Sequence, residues 1–308
     1  MIHPLEPAHS PFDALLERAQ SLAPIEAAIV DPLDSLSLGG ALSAASKGLI
    51  KPVLVGDPNA IYDAANRCGW SLRHARIVHA SPGEESAAAV ALAAGGHVKI
   101  VVKGALHSDA LLHSVLAEPR LLTGRRLSHV VVFELPQREN PLIVTDGAVN
   151  IAPNLEQKAQ IVQNAIDVAR TLGLELPKVA ILAAVETVVS GMTATIDAAA
   201  LSEMARRGQI TGALVDGPLA LDDALSIDAA GAKHIDSPVA GCADVLVAPD
   251  LQSGNILYKA FDVLLRARFG AVIAGAAVPI VFTSRADSIE ARVLSCVLAR
   301  LLAEEKPR

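Results

Sequence analysis

The sequence has few aromatic residues. Only 3% of its 308 residues are Phe, Trp or Tyr, although 52% are hydrophobic. A core of this composition has to be built from Ala, Val, Leu and Ile, the usual material of helices packed on parallel strands. At this length the chain can form one large domain or two medium ones, each with its own buried core. The composition therefore favours an α/β protein.

Cysteines and targeting signals are also scarce. The three cysteines, Cys68, Cys242 and Cys296, form no C-x-x-C pair, which argues against a disulfide scaffold or a zinc site and fits a reducing compartment. The start, MIHPLEPAHSP, has no cationic region followed by an apolar run, so we expect no secretory signal. The longest apolar stretch, residues 269–282, is interrupted by glycines and Pro279 and is too short to span a bilayer. These features predict a soluble, cytoplasmic protein with no membrane partner.

The chain also lacks an excess of positive charge and the common nucleotide-binding and hydrolase motifs. Its net charge of −7 argues against a nucleic-acid partner, but a small anion responds to local charge. We find no G-x-G-x-x-G after a predicted strand, and no G-x-x-x-x-G-K-[ST], H-E-x-x-H or G-x-S-x-G motif. The nine histidines have no metal-ligand spacing. These absences favour chemistry performed by positioning and electrostatics.

Short β-branched apolar runs alternate with Ala- and Leu-rich amphipathic segments, a pattern typical of βαβ units. The charged, glycine-containing segment LLTGRRL predicts a domain crossing at residues 121–127. Strands are predicted over residues 27–30, 52–55, 75–79, 100–102, 129–133, 178–182, 213–215, 245–247 and 279–282. Helices are predicted over residues 12–19, 38–47, 84–94, 108–116, 155–172, 198–207, 256–266 and 288–302.

The segment VPIVFTSRADSIEAR, residues 278–292, carries the most informative chemistry. We predict that a strand ends at Thr283 and that a helix follows, so the turn between them would offer unpaired N–H groups to an anion. The guanidinium of Arg285 suits a phosphate or a developing oxyanion. A structural alternative stays open for Ser284, because Ser284 with Asp287 three residues later could simply cap the helix.

Four further polar turns follow apolar segments of the chain. Loops at the carboxyl ends of strands are where open α/β sheets bind ligands, so we expect these turns to share one cleft. For Asn255 the alternative is a helix cap, and for Lys259 it is a solvated side chain. The turns contain Lys103-Gly104, Asp146-Gly147 with Asn150, Asp216-Gly217-Pro218, and Gly254-Asn255 with Lys259. The candidate binding residues are Lys103, Gly104, Asp216, Gly254, Asn255 and Lys259.

These segments, in this order, resemble the phosphate acetyltransferase/phosphate butyryltransferase (phosphotransacylase) family over nearly the whole chain. The resemblance implies two three-layer α/β domains with a cleft between them, an isopropylmalate-dehydrogenase-like architecture. With it we assign residues 1–125 and 283–308 to one domain and 126–282 to the other. The segments are AASKGLIKPVLVGD, VVKGALHSDALL, TGRRLSHVVVFEL, TDGAVNIAPNLEQKAQI, AVETVVSGMTATIDAAALSEMARRGQI, VDGPLALDDALS, PVAGCADVLVAPDLQSGNILYK and VPIVFTSRADS.

The resemblance also implies a functional Ser-Arg pair and a homodimer that needs no metal or redox cofactor, with coenzyme A as a substrate. Ser284 and Arg285 match the pair. Acetyl-type relatives carry an Asp seven residues after the serine to assist the CoA thiol. Here that position is Ala291, with Glu290 beside it, and a helix Arg of those relatives corresponds to His113. The general base is therefore open.

The expected reaction is direct attack of phosphate on an acyl-CoA thioester, with acetyl and butyryl as the candidate acyl groups. Arg285 would hold phosphate or the carbonyl oxygen, and Ser284 would donate to the oxyanion. In reverse, Glu290 or Asp287 would take the CoA thiol proton, and Asp216 is a weaker candidate. Two alternatives remain: a non-catalytic acyl-CoA/phosphate sensor, and an isopropylmalate-dehydrogenase-type oxidoreductase.

Overall fold

The protein is described by a computed structural model that covers residues 10–73, 75–136 and 138–304. The first nine residues, where the sequence predicts no secretory signal, lie outside the described residues, as do residues 305–308 of the predicted first domain. Among the residues described, none of the helices has the length and apolar character required to cross a membrane.

The strands confirm a mixed α/β fold. All nine predicted strands are present, and two others, which the sequence did not predict, occur at residues 142–145 and 268–274. The eleven strands of the described residues are β1 (Ile25–Val30), β2 (Ile50–Gly56), β3 (Arg76–His79), β4 (Ile100–Lys103), β5 (Ser128–Glu134), β6 (Leu142–Thr145), β7 (Lys178–Leu182), β8 (Leu214–Leu219), β9 (Val245–Val247), β10 (Arg268–Ala274) and β11 (Ile280–Val281).

The helices include all eight that were predicted and three more, over residues 58–68, 221–225 and 227–232. A 3-10 turn spans Pro119–Leu121. The α-helices of the described residues are α1 (Pro11–Gln20), α2 (Ser35–Ser46), α3 (Pro58–Cys68), α4 (Glu85–Ala94), α5 (Ser108–Leu116), α6 (Leu155–Thr171), α7 (Thr193–Arg206), α8 (Leu221–Leu225), α9 (Ile227–Ala232), α10 (Leu251–Val263) and α11 (Ile289–Leu302).

One compact unit combines Phe12–Arg125 with residues 269–304. Its strands lie in the order β3-β2-β1-β4-β11-β10, and all neighbours are parallel except β10 and β11. The sequence had assigned residues 269–282 to the other domain; this part of the assignment is wrong, because β11 pairs with β4. Since β1, β4 and β11 are parallel, their carboxyl ends meet at one edge of the sheet.

The second unit combines Arg126–Arg268 with Ser10 and Pro11. Its strands lie in the order β5-β6-β9-β7-β8, and β6, β9, β7 and β8 are parallel to one another. β5 runs antiparallel to β6. Strands buried on both faces read as continuous apolar runs, and β5 is buried over six consecutive residues.

Helices α2 and α11 pack together in the first unit. Two consecutive glycines in α2 make room for α11: a Cβ on Gly39 would lie 2.9 Å from Ile289 Cδ1, and one on Gly40 would lie 2.7 Å from Arg292 Cβ. The close packing places the first turns of α11 beside the edge formed by β1, β4 and β11.

Candidate active site

The turn after β11 is held by two hydrogen bonds within itself. The Ser284 N–H donates to Asp287 Oδ2 at 2.6 Å, and the Asp287 N–H donates to the Ser284 carbonyl at 3.2 Å. Helix α11 begins only at Ile289 and is capped by Ser288. The interpretation of Ser284 as the helix cap is therefore wrong, and Arg285 lies in the turn that precedes the helix rather than at its first residue.

Arg292 reaches back from α11 to the same turn. Its Nη1 donates to Thr283 Oγ1 at 3.0 Å and its Nη2 donates to the Ser284 carbonyl oxygen at 2.9 Å. The side chain is only 3% exposed, and its Nε has no hydrogen-bond partner among the described residues. Burial lowers the pKa of Arg292, while Asp34 and Asp287 oppose that shift. The sequence analysis missed this residue.

Lys103 ends β4 beside the same turn. It is 2% exposed, and its Nζ donates to the Thr283 carbonyl oxygen at 3.4 Å. Burial, followed by two nearby guanidinium groups, lowers the pKa of Lys103, and two nearby carboxylates oppose this shift only in part. The guanidinium groups belong to Arg292 and Arg285, and the carboxylates to Asp287 and Asp34.

Gly104 is required by packing. A Cβ at this position would lie 2.1 Å from the Val30 carbonyl oxygen and 2.6 Å from that of Asp31, so only glycine allows the chain after β4 to approach β1. The Ala105 N–H donates to the Asp31 carbonyl at 2.9 Å. Gly104 thus fixes the position of Lys103 and has no side chain to offer a ligand.

Asp34 places a negative charge after β1. It caps α2 by accepting hydrogen bonds from Leu36 N (2.9 Å) and Ser37 N (2.8 Å). Burial opposes the ionised form, but the hydrogen bonds from Ser37 and the charge of Arg292 outweigh it and hold the pKa of Asp34 below its usual value. The carboxylate is therefore committed to the helix cap.

Gly254 and Asn255 lie in the other unit, inside α10. The helix begins at Leu251 and is capped by Asp250, so the predicted helix start at the Gly-Asn pair and the reading of Asn255 as the cap are both wrong. Asn255 Nδ2 donates to the Gly147 carbonyl at 2.9 Å. A Cβ on Gly254 would lie 2.3 Å from the Asp146 carbonyl oxygen. The pair fastens α10 to the turn after β6.

That turn is built around a buried carboxylate. Asp146 Oδ1 accepts from Ala148 N at 2.9 Å and Val149 N at 3.0 Å, and Oδ2 accepts from Asn150 Nδ2 at 2.5 Å. Asn150 also donates to the Leu127 carbonyl at 2.8 Å. Asp146 and Asn150 therefore shape the turn that receives α10.

Asp216 and Lys259 lie in the same unit as Asn255. Lys259 Nζ lies 3.0 Å from Tyr258 OH, 3.3 Å from Asp262 Oδ2 and 4.2 Å from the Tyr258 ring centroid, so it is not simply a solvated side chain. Asp216 lies within β8 and accepts the Gly217 N–H at 2.9 Å. The prediction that Asp216 ends a strand is wrong, because β8 continues to Leu219.

The proposed proton acceptors Glu290 and Asp287 differ in their exposure to solvent. Glu290 is exposed in the first turn of α11, whereas Asp287 is 4% exposed and hydrogen-bonded to Ser284 N. Ala291 is buried, and its N–H donates to Ser288 Oγ at 3.1 Å. His113 is exposed on α5. Ser284, Arg285, Asp287 and Lys103 are thus brought together in one unit.

The described geometry is that of an α/β protein in which Ser284, Arg285, Arg292 and the buried Lys103 lie at the carboxyl edge of parallel strands. The family described as Phosphate acetyl/butaryl transferase matches residues 78–300. A phosphate acetyltransferase of Rickettsia typhi is 48% identical over 300 residues, which cover 96% of this chain and 86% of that protein. A phosphate butyryltransferase of Clostridium acetobutylicum is 39% identical over 298 residues, covering 96% and 99%.

A solved structure agrees with these matches. The branched-chain phosphotransacylase from Enterococcus faecalis V583 is similar with a TM-score of 0.79 and 30% sequence identity, covering 92% of this chain and 100% of that one. The chain therefore belongs to the phosphate acetyl/butyryl transferase family, and the resemblance seen in the sequence is confirmed.

Proposed function

We propose that this chain transfers a short acyl group between coenzyme A and inorganic phosphate. The observation that carries the proposal is the state of Ser284. Its N–H and its carbonyl oxygen are both held by hydrogen bonds, while its hydroxyl has no hydrogen-bond partner among the described residues. A hydroxyl on a fixed backbone can donate to an oxyanion without reorganising, which is how preorganised sites stabilise acyl transfer.

Arg285 supplies the anion-binding group. It is exposed and forms no ion pair with any described residue, although Asp287 lies two positions away. An uncommitted guanidinium can form two parallel hydrogen bonds to phosphate. The buried guanidinium of Arg292 adds to the positive potential beside it, which favours a dianionic substrate at this edge of the sheet.

The reaction itself needs one bond made and one broken. A phosphate oxygen attacks the thioester carbonyl carbon, so a C–O bond forms and the carbonyl oxygen becomes an oxyanion, held by Ser284 and Arg285. The oxyanion then collapses, the C–S bond breaks, and the CoA thiolate leaves and takes up a proton. Holding the two substrates in line supplies much of the rate, because it removes the entropic cost of their encounter.

The remaining residues have supporting roles in this proposal. Asp216 and Lys259 are proposed as contacts for the larger substrate. Gly104 shapes the turn after β4, and Gly254 and Asn255 fix the turn after β6 against α10. We further propose a cytoplasmic homodimer that needs no metal or redox cofactor, as the family resemblance implies. The isopropylmalate-dehydrogenase-like arrangement of two domains around a cleft stays a prediction.

The proposal is tested with purified wild-type protein and acetyl-, propionyl- or butyryl-CoA. We expect release of free thiol that depends on phosphate, with one acyl phosphate formed per thiol and trapped as its hydroxamate. Acyl chains that differ by one or two methylenes should differ by about 1–3 kcal/mol in selectivity. Tight CoA binding without thiol release would favour the sensor. A nicotinamide-dependent absorbance change would favour the oxidoreductase.

A further inference from the structure

Lys103 is a buried lysine with few polar contacts at the candidate site. β4 lies between β1 and β11 and is parallel to both, so Lys103 ends the central strand of the three. Its Nζ is 3.4 Å from the Thr283 carbonyl, one residue before Ser284. This is its one hydrogen bond within the described part of the chain, and it is long for an N–H donor.

Lys103 forms no ion pair with any described residue. Asp34 is occupied by the cap of α2, and Asp287 accepts the Ser284 N–H. Burial, followed by the like charges of Arg292 and Arg285, lowers the pKa of Lys103. Both effects favour the neutral amine, which is a base.

The groups that the sequence offered as bases are less well placed. Glu290 is exposed in the first turn of α11. One oxygen of Asp287 is used in holding Ser284. The position seven residues after the serine is Ala291, which cannot titrate. Lys103, on the neighbouring strand β4, is a further titratable group beside Thr283.

We propose that Lys103 carries the proton to and from the sulfur of coenzyme A. This inference rests on the proposed function. In the direction of acyl-CoA synthesis, the neutral Lys103 amine takes the thiol proton. The thiolate then attacks the acyl phosphate carbonyl carbon, the C–S bond forms, the C–O bond breaks and phosphate leaves. In the opposite direction the Lys103 ammonium gives its proton to the departing thiolate.

The test compares Lys103→Arg and Lys103→Met with the wild type in the direction from acyl phosphate and CoA to acyl-CoA. Arginine keeps the positive charge, but it cannot act as a base because its guanidinium stays protonated in proteins. Proton transfer by a positioned group contributes about 10²–10⁴-fold, so we expect both variants to lose at least about 100-fold in kcat. Lys99→Arg, an exposed lysine before the same strand, is the control and should keep the wild-type rate.

The pH dependence separates proton transfer from a purely electrostatic role. For the wild type we expect kcat/KM to rise with pH to a plateau, as the amine is deprotonated. Both variants should lose that rise. Activity of Lys103→Arg within threefold of the wild type, with the same pH profile, would overturn the inference. If Lys103→Arg does not fold, Lys103→Met decides, and a residual rate that still follows the wild-type rise also overturns it.

The proposed function and this inference fail in different ways. A wild-type protein that releases no CoA in response to phosphate overturns both. A wild type that performs the reaction while Lys103→Arg also performs it overturns only the role of Lys103.

Discussion

The guanidinium of Arg292 donates a hydrogen bond to the carbonyl oxygen of Ser284 at 2.9 Å, and a second to Thr283 Oγ1 at 3.0 Å. A buried arginine on α11 thus fixes the backbone that carries the Ser284 hydroxyl. Gly40 is the residue that allows this, because any side chain there would collide with Arg292. The packing of α2 on α11 and the geometry of the candidate site are therefore coupled at this position.

Replacing Arg292 by lysine should impair catalysis more than stability. Lysine keeps the charge but loses the fork that reaches two acceptors, and a hydrogen bond to a charged group is worth about 1.5–3 kcal/mol. We expect kcat to fall by roughly 10- to 100-fold, measured as phosphate-dependent CoA release.

The matched control for this variant is Arg300→Lys. Arg300 is buried on the same helix and donates to the Ala23 carbonyl at 3.1 Å, outside the site. The Arg300→Lys variant should lower Tm about as much as Arg292→Lys does, and its kcat should stay within twofold of the wild-type value. Equal losses of kcat in both variants would contradict a specific role for Arg292.

Asp287→Ala should release the backbone of the Ser284 turn. It removes the acceptor of the 2.6 Å bond from Ser284 N and leaves that N–H unsatisfied, at a cost of about 1–3 kcal/mol. We expect lower kcat with a smaller change in KM for phosphate. Asp57→Ala removes a comparable bond, to Asn59 N at 3.0 Å at the start of α3, and should cost stability without changing kcat. An unchanged kcat for Asp287→Ala would show that the turn needs no such support.

The sequence predicted the position of the candidate catalytic turn after β11 but misplaced the start of the helix that follows it. The S-x-x-D spacing of Ser284 and Asp287 is that of a capping pair, and Ser288 satisfies the same preference four residues later. The sequence alone does not show whether Ser284 or Ser288 caps α11. The tertiary structure does, because the buried Arg292 binds the Ser284 carbonyl oxygen and keeps Ser284 in the turn before the helix. A sequence signal for Arg292 did exist: an arginine on the same helix face as Cys296 and Ala299 has to find a buried partner.

Two strands escaped prediction for different reasons. The run Leu142–Thr145 that forms β6 is longer than the three-residue runs that predicted β4, β8 and β9, so its apolar signal was present in the sequence and was missed. β10 lies in the apolar stretch before Pro279, where glycines interrupt the pattern, and Gly270 is needed because α11 passes close by: a Cβ there would lie 2.9 Å from the Leu294 carbonyl carbon. The pairing of β11 with β4, which moves residues 269–282 into the first unit, is a non-local contact that no local pattern encodes.

Lys103→Met should change how stability depends on pH. The folded-state pKa of Lys103 is lowered, so between that pKa and about 10.4 the unfolded chain holds a proton that the native state does not. The unfolding free energy therefore rises with pH in that window. Methionine removes this rise, so its gain in Tm over the wild type should be largest at low pH and shrink as pH rises. Lys99→Met, at an exposed lysine, should show no such trend, and a constant difference for Lys103→Met would contradict the lowered pKa.

Gly254→Ala should separate α10 from the turn after β6. The new Cβ would lie 2.3 Å from the Asp146 carbonyl oxygen and 3.1 Å from Ala248 Cβ. Because both neighbours are tightly placed, we expect a loss of about 1–3 kcal/mol in unfolding free energy. Gly231→Ala is the control: nothing lies within 4 Å of a Cβ there, and alanine is favoured over glycine in a helix by about 1 kcal/mol. A stable Gly254→Ala protein would refute the close approach.

The most direct test of the account is the rate of phosphate-dependent CoA release by Arg285→Ala beside Arg67→Ala, an exposed arginine on α3. If Arg285 holds the phosphate or the oxyanion, kcat/KM for phosphate should fall by about 100-fold or more in Arg285→Ala, consistent with the loss of one preorganised oxyanion donor. Arg67→Ala should match the wild type. An Arg285→Ala protein that releases CoA at the wild-type rate, with an unchanged KM for phosphate, would contradict the assignment of the anion site to the turn after β11.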